Sequence, residues 1–172
     1  ARGLLERQPS RMLEVLRGCG ALERVAPELV NLYEAPLWDQ ALSAVDTAAR
    51  REMSLDARWA ALTRALDPYA AEALAQRLKA PTSCRDLSVL AARHANGIAD
   101  AAELDAAALL ELLNAVDAWR KPQRCDDLCR VALIDEPEAE AVLQRLQRAR
   151  RAAAAVDAGA IARTVEGGEA IR

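Results

Sequence analysis

Apolar residues recur through this chain three and four positions apart, the spacing of one helix face. Met12, Leu13, Val15 and Leu16 are expected to point inward from a first short helix. Ser10 is its expected cap, and Gly18 and Gly20 end it, since glycine takes left-handed dihedrals at little cost. Pro27 opens another turn or two through Leu29, Val30 and Leu32, and Pro36 breaks the chain before Trp38. Leu42, Val45 and Ala49 then keep helical spacing up to Arg51, after which Asp56 is expected to cap a helix bearing Trp59, Leu62 and Leu66. Pro68 separates that helix from the next.

Tyr69 to Lys79 is alanine-rich with Leu74 and Leu78 on one side, and Ala80-Pro81 stops it, because a residue before proline avoids helical dihedrals. Thr82 or Ser83 is the expected cap of a helix with Leu87, Leu90 and Ala91 inward, ended by Asn96-Gly97. Leu109, Leu110, Leu112, Leu113 and Val116 form a strongly apolar helix from Asp105, and Pro122 starts another through Leu128, Val131 and Leu133. This pair is expected at the centre of the core. Pro137 heads the longest predicted helix, to about Val156, with Val142, Leu143 and Leu146 on one face and Arg145, Arg148, Arg150 and Arg151 largely off it. Gly159 and Gly167-Gly168 mark turns near the end.

Composition agrees with this pattern. Hydrophobic residues make up 52% of 172, enough for one sizeable domain or two small packed ones, while aromatics are 3% and phenylalanine is absent. Alanine and leucine favour close-packed helices, so the predicted fold class is all-α. Cys19, Cys84, Cys125 and Cys129 form no CxxC pair, which suits reduced thiols and a cytoplasmic location. Cys125 and Cys129, four apart, share a helix face; they read as buried small hydrophobes, with a metal half-site as the rival. No apolar run is long enough to span a membrane, and the first residues lack a signal-peptide core. The start at Ala1 suggests a cut or processed piece. Net charge is −3, so any nucleic-acid contact has to come from local cationic patches.

Three segments resemble bacterial CCA-adding tRNA nucleotidyltransferases in the expected order. The stretch from Pro9 to Leu22 followed by Ala26-Pro27-Glu28-Leu29 is similar to that family's neck, Cys84 to His94 to its helical body, and Asp117-Ala118-Trp119-Arg120-Lys121-Pro122-Gln123-Arg124 to a further body stretch. The resemblance implies a helical array with neck helices at 1–35, a degenerate HD-like body at 36–100, and body and tail helices at 101–172, truncated at the C-terminus. It implies tRNA as partner, recognised by shape and backbone, since such an enzyme accepts every tRNA. It also implies an N-terminal catalytic head adding C, C and A from CTP and ATP with magnesium. The glycine-serine motif and Asp-x-Asp of that head do not occur here, so no catalytic residue and no cofactor are assigned to this segment.

Bacterial members commonly carry an HD-type phosphohydrolase site in the body, built from several histidines and aspartates that hold divalent ions. This chain has one histidine. By resemblance the His-Asp pair falls at Arg64-Ala65 and the first histidine near Gln40, the following histidine-bearing loop is missing before Tyr69, and a cation at Arg64 repels a metal. No metal ligand is therefore assigned. His94 reads as a cap or surface group at a helix end, its charge favoured by the helix dipole. The RNA-binding candidates are Arg120, Lys121, Arg124, Arg145, Arg148, Arg150 and Arg151, since guanidinium forks suit phosphate oxygens. Each set has a second reading. In the 117–124 segment Asp117 would pair with Arg120 or Arg124 while Trp119 packs beneath, locking two helices; the later arginines would be a solvated face. The alternatives for the whole chain are a non-catalytic helical interaction module, which the net charge supports, and a poly(A) polymerase-type relative.

Overall fold

A computed structural model describes residues 2–34 and 36–156. Among the described residues the regular elements are helices, as composition predicts, and no strand occurs. The α-helices are α1 Pro9–Gly18, α2 Leu22–Val25, α3 Leu37–Arg50, α4 Leu55–Thr63, α5 Pro68–Arg77, α6 Thr82–Ala99, α7 Ala106–Ala115, α8 Pro122–Ala132 and α9 Ala139–Ala154. Short 3-10 turns at Arg2–Leu5, Pro27–Leu32 and Asp100–Ala102 link them. The glycine turns expected at Gly159 and Gly167-Gly168 lie outside the described residues.

Helix starts follow local chemistry where a cap is adjacent. Asp67 accepts from the amides of Tyr69 and Ala70 at the head of α5, Asp105 accepts from Ala108 at the head of α7, and prolines open α1, α5 and α8. Other starts differ from expectation. Ser54, not Asp56, caps α4 by accepting from Ala57 at 3.2 Å. Neither Thr82 nor Ser83 caps α6, because Pro81 holds the N-cap position. Ser10 lies inside the first turn of α1, and its amide and hydroxyl both donate to Asp46 of α3, at 3.0 and 2.7 Å. The cap of α1 is thus supplied by another helix.

Asn96-Gly97 does not end α6. The buried series Leu87, Ala91, Ala95 and Ile98 continues past it, and burying Ile98 outweighs the roughly 1 kcal/mol that glycine costs inside a helix. At 18 residues α6 is the longest helix among the described residues, whereas the one predicted from Pro137 is shortened to Ala139–Ala154.

Of the two helices expected at the centre of the core, α8 lies there, with Leu128 and Val131 fully buried, and α7 lies at its margin. Every residue from Ala57 to Thr63 of α4 is buried, and α4 packs on α3, α6 and α8. Its apolar residues face all round the helix, and Arg58, the charged side chain among them, is buried by donating to the carbonyls of Leu4, Glu6 and Met53. Small side chains make the approach close: Ala44 and Ala48 of α3, Ala57, Ala60 and Ala61 of α4, and Ala91 of α6 share one cluster with Leu128 and Val131 of α8. Leucine-rich α7 buries Leu109 and Leu113 and lies outside, against α9. A second cluster gathers Leu4, Leu13, Leu22, Leu29, Trp38, Trp59, Leu62 and Leu74, with α3 and α4 contributing to both. Val15, expected inward, is 62% exposed.

Candidate functional site

The 117–124 junction is built by a reversal of the chain at the end of α7. Asp117 has φ +57°, a conformation that aspartate tolerates better than most residues, and Val116 and Ala118 on either side are buried. The Asp117 carboxylate accepts from Arg120 Nε at 2.7 Å and lies 3.5 Å from an Arg124 nitrogen. Its hydrogen bond to Arg120, with the charges of Arg124 and Lys121 adding, holds the carboxyl below its ordinary range. Arg124 also donates to the carbonyl of Val116 at 3.4 Å, so it ties the start of α8 to the end of α7. Trp119 does not pack beneath the turn: it is 37% exposed, and its indole N–H donates to Asn114 at 2.6 Å. The Lys121 side chain is exposed, and Arg120 is bonded to Asp117 on an otherwise open surface.

The arginines of α9 divide by helix face. Arg145 donates to the carbonyl of Ala101 at 3.0 Å and to that of Leu104, satisfying the end of the Asp100–Ala102 turn. Arg150 pairs with Asp126 of α8 at 2.8 Å and reaches the carbonyl of Pro122 at 3.4 Å. That pairing draws the last turns of α9 beside the 120–122 turn. Arg148 and Arg151 are exposed, three apart on the outer face. Lys121, Arg148 and Arg151 form no ion pair among the described residues.

A second feature is an open cleft of about 870 Å³ with Gln40, Arg64, Ala65, Arg93, Asp135 and Glu136 in its lining. Arg64 follows the last residue of α4 and reaches the C-terminal end of α8. One guanidinium nitrogen donates to the carbonyls of Ala132, at 3.1 Å, and Val131, at 3.4 Å, and another pairs with the Asp135 carboxylate. Arg51, just beyond α3, donates to the carbonyl of Ile134 at 3.3 Å. Two cations therefore close one helix C-terminus, where carbonyls lack intrahelical donors and the dipole is negative. The sequence offered Arg64 as a misplaced cation but held no sign of its partner 71 residues away.

His94 lies within α6, not at its end, so the favourable terminal dipole expected for its charge is absent there. Burial, and then neighbouring Arg93, hold its imidazole below the usual histidine range. Among the described residues no group of three or more His, Cys, Asp or Glu side chains is arranged to hold a metal ion, and no helix is long and apolar enough to cross a membrane. Arg85 and Asp86, adjacent on α6, form an ion pair at 3.4 Å.

Known proteins resemble the chain along nearly its whole length. A multifunctional CCA protein of Azoarcus sp. strain BH72 is 38% identical over 201 positions, covering 95% of this chain and 48% of that protein. Multifunctional CCA proteins of Paraburkholderia phymatum and Burkholderia mallei are each 37% identical, covering 96% and 97% of this chain and 48% and 49% of theirs. The matched stretch of 201 positions exceeds the 172 residues of this chain, so the Azoarcus protein carries segments that have no counterpart here. No protein-family model and no solved structure matches. The chain spans about half the length of these curated relatives and is homologous to them, consistent with the C-terminal part of a CCA-adding enzyme.

Proposed function

We propose that this chain is the tRNA-holding helical part of a CCA-adding tRNA nucleotidyltransferase, built on the plan of neck, body and tail, in which an HD-type metal site has been lost. The observation that carries the reading is the cleft around Arg64. Gln40 and Arg64-Ala65, which stand by resemblance where histidine and a His-Asp pair belong, line one concavity although 24 positions separate Gln40 from Arg64. An arginine bound to helix carbonyls and to Asp135 leaves a positive charge where a metal would need ligands.

In this reading the body's role is RNA binding without chemistry. Arg120, Lys121, Arg148 and Arg151 supply the phosphate contacts, while Arg124, Arg145 and Arg150 hold the frame that presents them. A head preceding this segment would add C, C and A from CTP and ATP with magnesium, and the helical array would hold the acceptor arm for it. The relatives' name favours the tRNA enzyme over a poly(A) polymerase-type relative.

Two assays test the proposal together. The chain with added nickel, manganese or magnesium is expected to show no phosphodiesterase turnover above background, and metal-dependent turnover overturns the lost-site reading. The chain is expected to bind tRNA with an affinity that falls as salt rises. Absence of binding at low salt overturns the RNA role and favours an interaction module instead.

A further inference from the structure

Trp119 is the tryptophan that neither apolar cluster takes up. Of the three in the chain, Trp38 and Trp59 are 5% and 7% exposed and belong to the second cluster, whereas Trp119 is 37% exposed. Among the described residues no aromatic ring and no cation stacks on it. Its indole N–H is already committed, donating to Asn114 at 2.6 Å, which ties one edge of the ring to the last turn of α7. What the ring still offers is apolar π surface in a set orientation, with no free hydrogen-bonding group.

The surrounding charge decides what can lie on that surface. Residues 117–124 hold three cations, Arg120, Lys121 and Arg124, against one carboxylate, in a chain whose net charge is −3. That carboxylate, Asp117, is bound to Arg120 and Arg124. The carboxylates of Asp56, Asp86 and Asp127 gather at a cavity that Lys121 also lines and Trp119 does not. A flat apolar face next to cations suits a nucleobase, whose own backbone is anionic. Bases inside a duplex are stacked on one another, so the base that can reach the ring is an unpaired one. Every base has a π face, and an indole with its N–H occupied reads no base edge, so the surface accepts any sequence.

We propose that Trp119 is a stacking platform for one unpaired nucleobase of the bound RNA, set beside the phosphate contacts of Arg120 and Lys121; this rests on the RNA-binding reading above. The platform adds a contact that salt does not screen to contacts that salt weakens.

The test is the tryptophan emission of the chain, titrated at low salt with tRNA and with a single-stranded RNA octamer. Because Trp38 and Trp59 are buried, RNA is expected to quench the emission of Trp119. Trp119→Phe should remove the quenching and retain most of the affinity. Trp119→Leu should bind about 5- to 150-fold more weakly at an unchanged salt slope, since a stacked base is lost and no phosphate contact is. Unchanged emission in an RNA complex, or quenching retained by Trp119→Phe, overturns the platform and leaves the phosphate contacts standing. The emission of the unaltered chain decides the matter even where Trp119→Leu fails to fold. Absence of RNA binding by the unaltered chain overturns this inference together with the reading it rests on, and gives the exposed ring to a protein contact instead.

Discussion

Leu112 and Leu113 are adjacent in α7, yet Leu113 is 2% exposed within the main cluster and Leu112 is half-buried at its margin. Leu113→Ala is expected to cost about 2–5 kcal/mol. Leu112→Ala should cost clearly less, and denaturant midpoints of the two variants check the order. His94 gives a pH-dependent case. Its folded pKa is depressed below the ordinary 6.5, so the unfolded chain takes up a proton there at a higher pH than the folded one does. Its contribution to stability is complete above 6.5 and is lost as pH falls from there toward the folded value. Replacing it by glutamine should flatten the stability difference between about pH 7 and about pH 5; a slope equal to that of the unaltered chain would assign the titration to other groups. Periodicity made Leu113 readable as inward but could not choose between it and Leu112. The partial burial of His94 was not readable, since it is set by what packs against α6.

Individual helices show which signals are local. Asp67 and Asp105 cap the helices that follow them directly, and both helices begin within a residue of their sequence-based starts. The cap of α1 comes instead from Asp46, 36 positions from Ser10, and no short window on the sequence contains both. Asp46→Ala is expected to lower stability by about 0.5–2 kcal/mol, the usual range for removing an N-cap, with faster amide exchange in the first turn of α1. Unchanged exchange there would show that the bond does not hold the turn. Arg64 poses the same problem of distance, since its role is set by the carbonyls ending α8. Removing its guanidinium leaves those carbonyls and Asp135 without that donor. Arg64→Ala should therefore cost about 1–3 kcal/mol in urea denaturation, and a neutral result would mean that Arg51 alone suffices to close the helix.

Across the whole molecule, the leucine count of α7 misled where the alanines of α4 decided. Large apolar side chains mark a helix that has something to bury, but the alanines of α4 let α3, α6 and α8 approach closely enough to surround it. All-α architecture was legible in the sequence because alanine, leucine and spacing all point the same way. The division of labour among the arginines was not, because helix face and partner carbonyls are products of packing. That division carries the functional account: Arg145 and Arg150 build the frame, while Arg148, Arg151 and Lys121 face solvent on a molecule whose net charge is −3. The most direct test is the salt dependence of tRNA binding by the unaltered chain and by the Lys121→Ala/Arg148→Ala/Arg151→Ala variant, both checked for an unchanged melting temperature. The account expects weaker binding by the variant and a salt slope shallower by about one for each phosphate no longer bound. Equal affinity and equal slope in a folded variant would contradict it.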